Sequence, residues 1–331
     1  MKESLQKRCE MFIRNRLAVK KQFRWESAYM YPLSAIIFTE KGQEADLDKM
    51  LRCREMLRDK ASAFSNFRGT VRLAVISLLA ACESPQQKLE NGLKIYELLR
   101  REFFSSEYLA VTALLIAEHS EPESFEAAVK KTRRAYELMK EDHRFLTSRE
   151  DCAFAALLAM SEKGAERGVK EAEKCFEILK PSFFSGNAVQ SLSHVLALGE
   201  ELPESKCRRT VELFEALKER GLRYGTSYEL PALGALGLLE TDQRALVSEI
   251  EEADLYLQDQ KGFGAFGVGS KQRLMYAGML VSGEYAEEGG ASLRTAAINS
   301  ALSLIAAQQA AVCAATASAC AAAAASSNSS S

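Results

Sequence analysis

Two patterns of apolar positions alternate along the chain. In the first, small and aliphatic residues are apolar nearly all round, as in PLSAIIF from Pro32, AVISLLA from Ala74, AVTALLIA from Ala110 and AFAALLAM from Ala153. SLSHVLAL from Ser191, ALGALGLL from Ala232 and YAGMLV from Tyr276 continue the series. In the second, one apolar stripe backs onto a charged face, as in AAVKKTRRAYELMK and RRTVELFEALKER. Both have helical spacing; a helix apolar on every side belongs inside and one with a single stripe belongs outside. The first set is therefore predicted to form inner helices and the second outer helices.

The outer pattern repeats. An aromatic residue, a Glu, two apolar residues and a Lys or Arg recur as YELLR, YELMK, FEILK and FEALK, with aromatics at Tyr96, Tyr136, Phe176 and Phe214. The intervals are 40, 40 and 38 residues, and weaker copies lie around Glu55 and Tyr256. Each inner segment ends near a glutamate, at Glu40, Glu83, Glu118, Glu162, Glu200, Glu240 and Glu284. Before the next inner segment an aromatic precedes a capping residue: Phe64 with Ser65, Phe104 with Ser105, Phe145 with Thr147, Phe184 with Asn187, Tyr224 with Thr226 and Phe266 with Ser270. Those pairs predict an N-cap with a hydrophobic staple in each repeat. The fold class is all-α: about seven helical hairpins of roughly 40 residues forming an α/α superhelix, either an open α-solenoid or a closed α/α toroid.

The ends depart from the repeat. Residues 1–24 hold eight basic and two acidic residues and are predicted as a basic N-terminal capping helix before a hairpin domain over 25–290. Residues 291–325 read as an Ala-rich C-terminal helix and 326–331 as a disordered Ser-rich tail. From Ala296 to Ala325 sixteen of thirty residues are Ala and none is charged. Alanine is only marginally apolar, so a narrow stripe of Ile298, Leu302, Ile305 and Val312, suited to packing, is preferred to membrane insertion.

Composition narrows the function classes. Lys+Arg number 43 and Asp+Glu 45, a net charge of −2, which excludes a generally basic nucleic-acid coat; 47% hydrophobic and 27% charged residues exclude wholesale disorder. Nucleic acid and membrane are accordingly not expected as partners. The eight cysteines form no CxxC, and the charged N-terminus has no apolar run of the export type, which together predict a cytoplasmic protein. His119, His143 and His194 fall in different repeats without ligand spacing, so no metal and no cofactor is expected.

The most pointed motif is KGFGAFGVGSKQR over 261–273. Gly262, Gly264 and Gly267 spell GxGxxG, but a dinucleotide site needs a preceding strand, and EIEEADLYLQDQ is helical. What remains is a flexible connector or, with Gly269, Lys271 and Arg273, a concave anion site at a helix N-terminus. Arg68, Arg72, Arg149 and Arg223 also lie near the starts of inner helices, so a basic rim is conceivable around a central channel.

The segments WESAYMYPLSAIIFTEKG, SNFRGTVRLAVISLL, LTSREDCAFAALLAM and KGFGAFGVGSKQRLMYAGML together resemble a bacterial (Firmicutes) domain-of-unknown-function family, number four thousand and three. That resemblance covers nearly the whole chain and implies no activity, cofactor or catalytic residue. LYLQDQKGFGAFGVGSKQRLMYAGMLVSG is similar to the repeats of terpenoid cyclases and protein prenyltransferases, which implies an α/α toroid; the DxDD motif and the zinc-ligand set of those enzymes are missing. The sequence thus points to a non-enzymatic scaffold with a protein or peptide partner along its inner surface. The alternative is an α/α-toroid protein, an enzyme among its options, that binds a phosphate- or diphosphate-bearing anionic small molecule.

Overall fold

The computed structural model describes residues 1–62, 65–264 and 267–288. These form seven helical hairpins, and among the described residues there is no strand. The hairpins are α1 (Glu3–Gln22) with α2 (Met30–Thr39), α3 (Leu47–Lys60) with α4 (Arg72–Ala80), α5 (Pro85–Glu102) with α6 (Glu107–His119), and α7 (Phe125–Asp142) with α8 (Cys152–Met160). α9 (Gly164–Leu179) pairs with α10 (Gly186–Ala197), α11 (Pro203–Glu219) with α12 (Leu230–Gly237), and α13 (Gln243–Gln258) with α14 (Ser270–Glu288). The predicted Ala-rich helix and Ser-rich tail lie outside the described residues.

Odd-numbered helices are outer and even-numbered ones inner, as the patterning predicts. In α9 the buried residues Ala165, Gly168, Val169, Ala172, Cys175, Phe176 and Leu179 make one stripe, the face a single-sided helix turns to a core. In α2 and α12 every residue is buried. Because the inner helices leave no face to solvent, the expected concave inner surface for a peptide and the expected channel are both absent from them.

Contacts run around the outer helices from α1 through α3, α5, α7, α9 and α11 to α13, and from α13 back to α1; α14 packs on both α1 and α2. The chain ends therefore meet, and the array of hairpins closes into a ring. Phe12 of α1 packs on Phe263 (5.9 Å between centroids) and Tyr276 (5.5 Å) of the last hairpin. The Met1 amino group pairs with Glu252 at 2.9 Å. The basic N-terminal segment is thus not a cap on an open end: α1 is the outer helix of the first hairpin and buries Leu5, Cys9, Phe12 and Val19 completely.

The aromatic repeat has a packing role. Phe67, Phe103 and Phe183, each from an outer-to-inner connector, meet Tyr96, Tyr136 and Phe214 of the next outer helix edge-on at 5.2, 5.3 and 5.0 Å, and His143 meets Phe176 at 4.1 Å. Such pairs add about 0.5–1.5 kcal/mol each beyond area burial. The predicted staple residues differ. In the doublets Phe103-Phe104 and Phe183-Phe184 the first member turns inward and the second is exposed, because neighbours in an extended connector point to opposite sides. Phe145 is exposed as well, Tyr224 is buried, and Phe64 and Phe266 lie outside the described residues. The caps also shift by one or two residues: Ser106, Ser148 and Ser185 accept the first-turn N–H groups, Ser148 in a capping box with Asp151, while Ser65 caps a 3₁₀ turn ahead of α4 rather than α4 itself.

Candidate functional site

Closing the ring puts all outer-to-inner connectors on one rim and all inner-to-outer connectors on the other. The first set holds eight Arg or Lys against five acids, the second eleven acids against two Lys. The outer helices end at the first rim and begin at the second, so this polarity matches their dipoles.

Of the residues singled out from the sequence, Arg68, Arg72 and Arg273 are engaged within the fold. Arg68 Nη1 donates to the carbonyls of Arg58 (3.2 Å) and Ala61 (3.1 Å), closing the end of α3. Arg72 Nε lies 3.2 Å from Glu26 Oε1. Arg273 forms a bidentate pair with Asp254, both contacts 2.8 Å, and reaches the Phe263 carbonyl. Arg68 and Arg72 belong to the second hairpin and Lys271 and Arg273 to the seventh, with the first hairpin between them. Lys271 is exposed.

The glycine segment is a turn with the opposite polarity to an anion cradle. Gly267 N–H donates to Gly264 O and Val268 N–H to Gly262 O, each at 2.9 Å. Its outward carbonyls receive a cation: Arg16 Nη1 donates to Lys261 O at 2.8 Å, and the guanidinium lies 4.7 Å from the Phe263 ring centroid. Gly262 has φ +94°, a handedness that requires glycine, and a Cβ there would stand 2.2 Å from Arg16 Nη2 and displace the end of that side chain. Around Gly264 and Gly269 there is open space.

A cation cluster does form elsewhere on the same rim. Between the third and fourth hairpins a cleft of about 380 Å³ is lined by Arg100, Arg101, Arg133, Lys140 and Arg149, with Phe103, Phe104, Tyr136 and Cys152 as its apolar walls and Glu102 and Glu137 at its edge. α5 delivers Arg100 and Arg101 in its last turn, α7 delivers Arg133 and Lys140, and the turn before α8 delivers Arg149. Arg133 is held by Glu137 (2.8 Å) and the Glu102 carbonyl (2.6 Å). Arg101, Lys140 and Arg149 have no carboxylate partner among the described residues. Lys140 and Arg149 stand over the rings of Tyr136 (5.9 Å) and Phe104 (5.7 Å).

Asp151, next to the lining residue Cys152 in the chain, is buried. Burial pushes its carboxyl up to about 7, against the lowering effect of the Ser148 N–H it accepts at 2.7 Å. Burial also pushes the Cys152 thiol up to about 12, so it stays protonated at neutral pH. The cleft has forked donors and aromatic walls suited to holding an anion. Only Arg149 of this group is visible in the sequence as a rim cation; the others come together through ring packing. The signal that reaches them is the basic last turn of YELLRRE beside the repeat position of TRRAYELMK.

Among the described residues no three His, Cys, Asp or Glu side chains gather as metal ligands. His194 is buried against Phe154, and burial lowers its imidazole to about 3. No helix among the described residues is long and apolar enough to cross a membrane.

A family model described as "Protein of unknown function (DUF4003)" matches residues 16–310. The chain is 25% identical over 233 residues to "Uncharacterized protein YeaA" of Bacillus subtilis (strain 168), covering 67% of this chain and 69% of that protein. No solved structure matches, so the likeness to cyclase and prenyltransferase repeats gains no support.

Proposed function

Because the chain belongs to the bacterial DUF4003 family, whose description carries no activity, we propose a function from the geometry alone: a helical-ring binding protein that takes a phosphate- or diphosphate-bearing anion in the cleft between its third and fourth hairpins. The observation that supports this most is the convergence of Arg100, Arg101, Arg133, Lys140 and Arg149 on one cleft. Cations that merely solubilise a surface spread apart; five on one concavity raise the local potential and draw in an anion. Aromatic walls beside them favour a ligand with an apolar or ring-bearing portion next to its phosphate. The scaffold reading, with a peptide along the inner helices, loses its surface to burial. Among the described residues six cysteines are free and five of them buried, which suits a reducing cytosol.

The test is thermal unfolding of the full chain with inorganic pyrophosphate. At about 100 times its dissociation constant a ligand adds roughly 2.7 kcal/mol. The reading expects a rise in Tm that weakens with salt and disappears in the Arg101→Ala/Arg149→Ala variant. A Tm unmoved by millimolar pyrophosphate, or a rise retained in that variant, contradicts it.

A further inference from the structure

Among the described residues the exposed aromatic side chains all lie on one rim. Trp25 is 87% exposed, Phe104 81%, Phe145 96%, Phe184 wholly and Tyr29 about half. All five belong to outer-to-inner connectors. In the inner-to-outer connectors no aromatic is exposed among the described residues, and Leu202 is the one large apolar side chain that is. A scattered exposed Leu is ordinary, whereas five aromatics confined to one edge form a patterned surface. The core does not need them, since Phe103 and Phe183 already supply the inter-hairpin packing.

Cations accompany these rings. The Arg24 guanidinium lies 5.1 Å from the Trp25 ring centroid and that of Arg149 5.7 Å from Phe104. The same connectors carry the excess of Arg and Lys, and the opposite rim carries the acids. One edge of the ring therefore offers projecting aromatic tips set in positive charge, with the negative edge facing away.

We infer that this rim docks the ring onto an anionic phospholipid surface, with the aromatic tips at the boundary between headgroups and acyl chains and the cations on lipid phosphates. Aromatics and basic residues are the pair that such an interface selects. The tips stand out singly, a form suited to entering a fluid interface. The acidic rim of a second copy matches the charge but offers the rings almost no apolar partner. This inference goes beyond the cleft, because neither Phe145 nor Phe184 lines it.

Trp25 is the sole tryptophan of the chain, so its emission reports directly on the rim. The full chain is mixed with vesicles of phosphatidylcholine alone or of phosphatidylcholine with phosphatidylglycerol. Expected are sedimentation with the mixed vesicles and a blue shift of Trp25 emission, both reduced by salt. The Phe145→Ser/Phe184→Ser variant partitions about tenfold or more weaker, from the apolar area lost, and keeps its response to pyrophosphate. Vesicle binding unchanged in that variant overturns the inference. So does an unmoved Trp25 emission without sedimentation, and so does self-association of the protein through this rim with vesicles ignored. Stabilisation by pyrophosphate without vesicle binding sinks this inference and leaves the cleft reading standing.

Discussion

The two rims of the ring are made of connectors from the same seven hairpins, yet they treat charge differently. On the acidic rim, cations are drawn into the structure. Lys206 is fully buried and pairs with Glu171, and it donates to the Gly199 carbonyl at 2.8 Å; Lys163 donates to Glu171 (2.8 Å) and to the Ala197 carbonyl (3.0 Å). Together these lysines satisfy carbonyls at the end of α10. Lys41 and Lys88 converge on Glu118 at 2.8 and 2.7 Å; burial works to raise that carboxyl, yet the two lysines hold it at about 2. Arg8 lies between Glu40 (2.8 Å) and Glu287 (2.5 Å) at the ring closure. On the basic rim, by contrast, Arg101, Lys140 and Arg149 stand over aromatic faces or in solvent with no carboxylate among the described residues. The acidic edge uses its cations to join hairpins; the basic edge joins hairpins through Arg72–Glu26 and Arg220–Glu251 but leaves Arg101, Lys140 and Arg149 available for contact.

Cutting the acidic edge at the ring closure has the largest expected effect. Arg8→Ala leaves Glu40, only 7% exposed, without its cation, and removing one partner of a buried pair costs about 3–5 kcal/mol. Burial already raises the Glu40 carboxyl to about 7, opposed by Arg8 and assisted by Glu287. Urea unfolding of the variant is therefore expected to show a smaller loss at pH 5, where Glu40 is protonated, than at pH 8. Equal losses at both pH values contradict this assignment.

The buried acid Asp151 gives the next largest effect. The folded-state value of Asp151, about 7, lies above its ordinary 3.8, so the native state holds a proton that the unfolded state releases. Its contribution is full below pH 3.8 and is lost as pH rises through 7, by an amount of order 2–4 kcal/mol. Asp151→Asn keeps the cap acceptor and removes that loss. The variant is expected to gain stability on the wild type between pH 4 and 8 in chemical unfolding; a constant difference across that range breaks the assignment.

Smaller effects sharpen the contrast between the edges. Arg101→Ala/Arg149→Ala is expected to stay within about 0.5 kcal/mol of wild type without ligand, although it abolishes the response to pyrophosphate. Phe145→Ser, at a side chain that touches almost nothing, is expected to move Tm least of all. A loss above about 1 kcal/mol in either would place the basic edge among the structural parts of the molecule.

Much of this ring is legible in the sequence, and the rest is hidden for identifiable reasons. The 40-residue spacing of Tyr96, Tyr136 and Phe176 marks the outer helices, and the all-apolar runs mark the inner ones, because burial on every side has a direct signature. Closure has none: it depends on Phe12 meeting Phe263 and Tyr276 across some 250 residues of chain, and periodicity is the same in an open and a closed array. The cleft is hidden likewise. Arg101 and Arg133 are ordinary charges on outer helices until ring packing brings them beside Arg149. Conversely, Arg273 and the glycines of 262–269 look like a site because the sequence shows neither Asp254, which takes the Arg273 donors, nor Arg16, which donates to the carbonyls of the turn. In Phe103-Phe104 the composition is plain, but which ring faces inward is decided by one step of backbone phase.

Hydrogen–deuterium exchange of the full chain with and without inorganic pyrophosphate tests the division between the edges most directly. The account predicts slower exchange at the end of α5, along the Arg133–Lys140 stretch of α7 and in the turn before α8, with the acidic connectors unchanged. Protection centred on the acidic connectors or on the glycine turn at 262–269, or no protection anywhere, would contradict it.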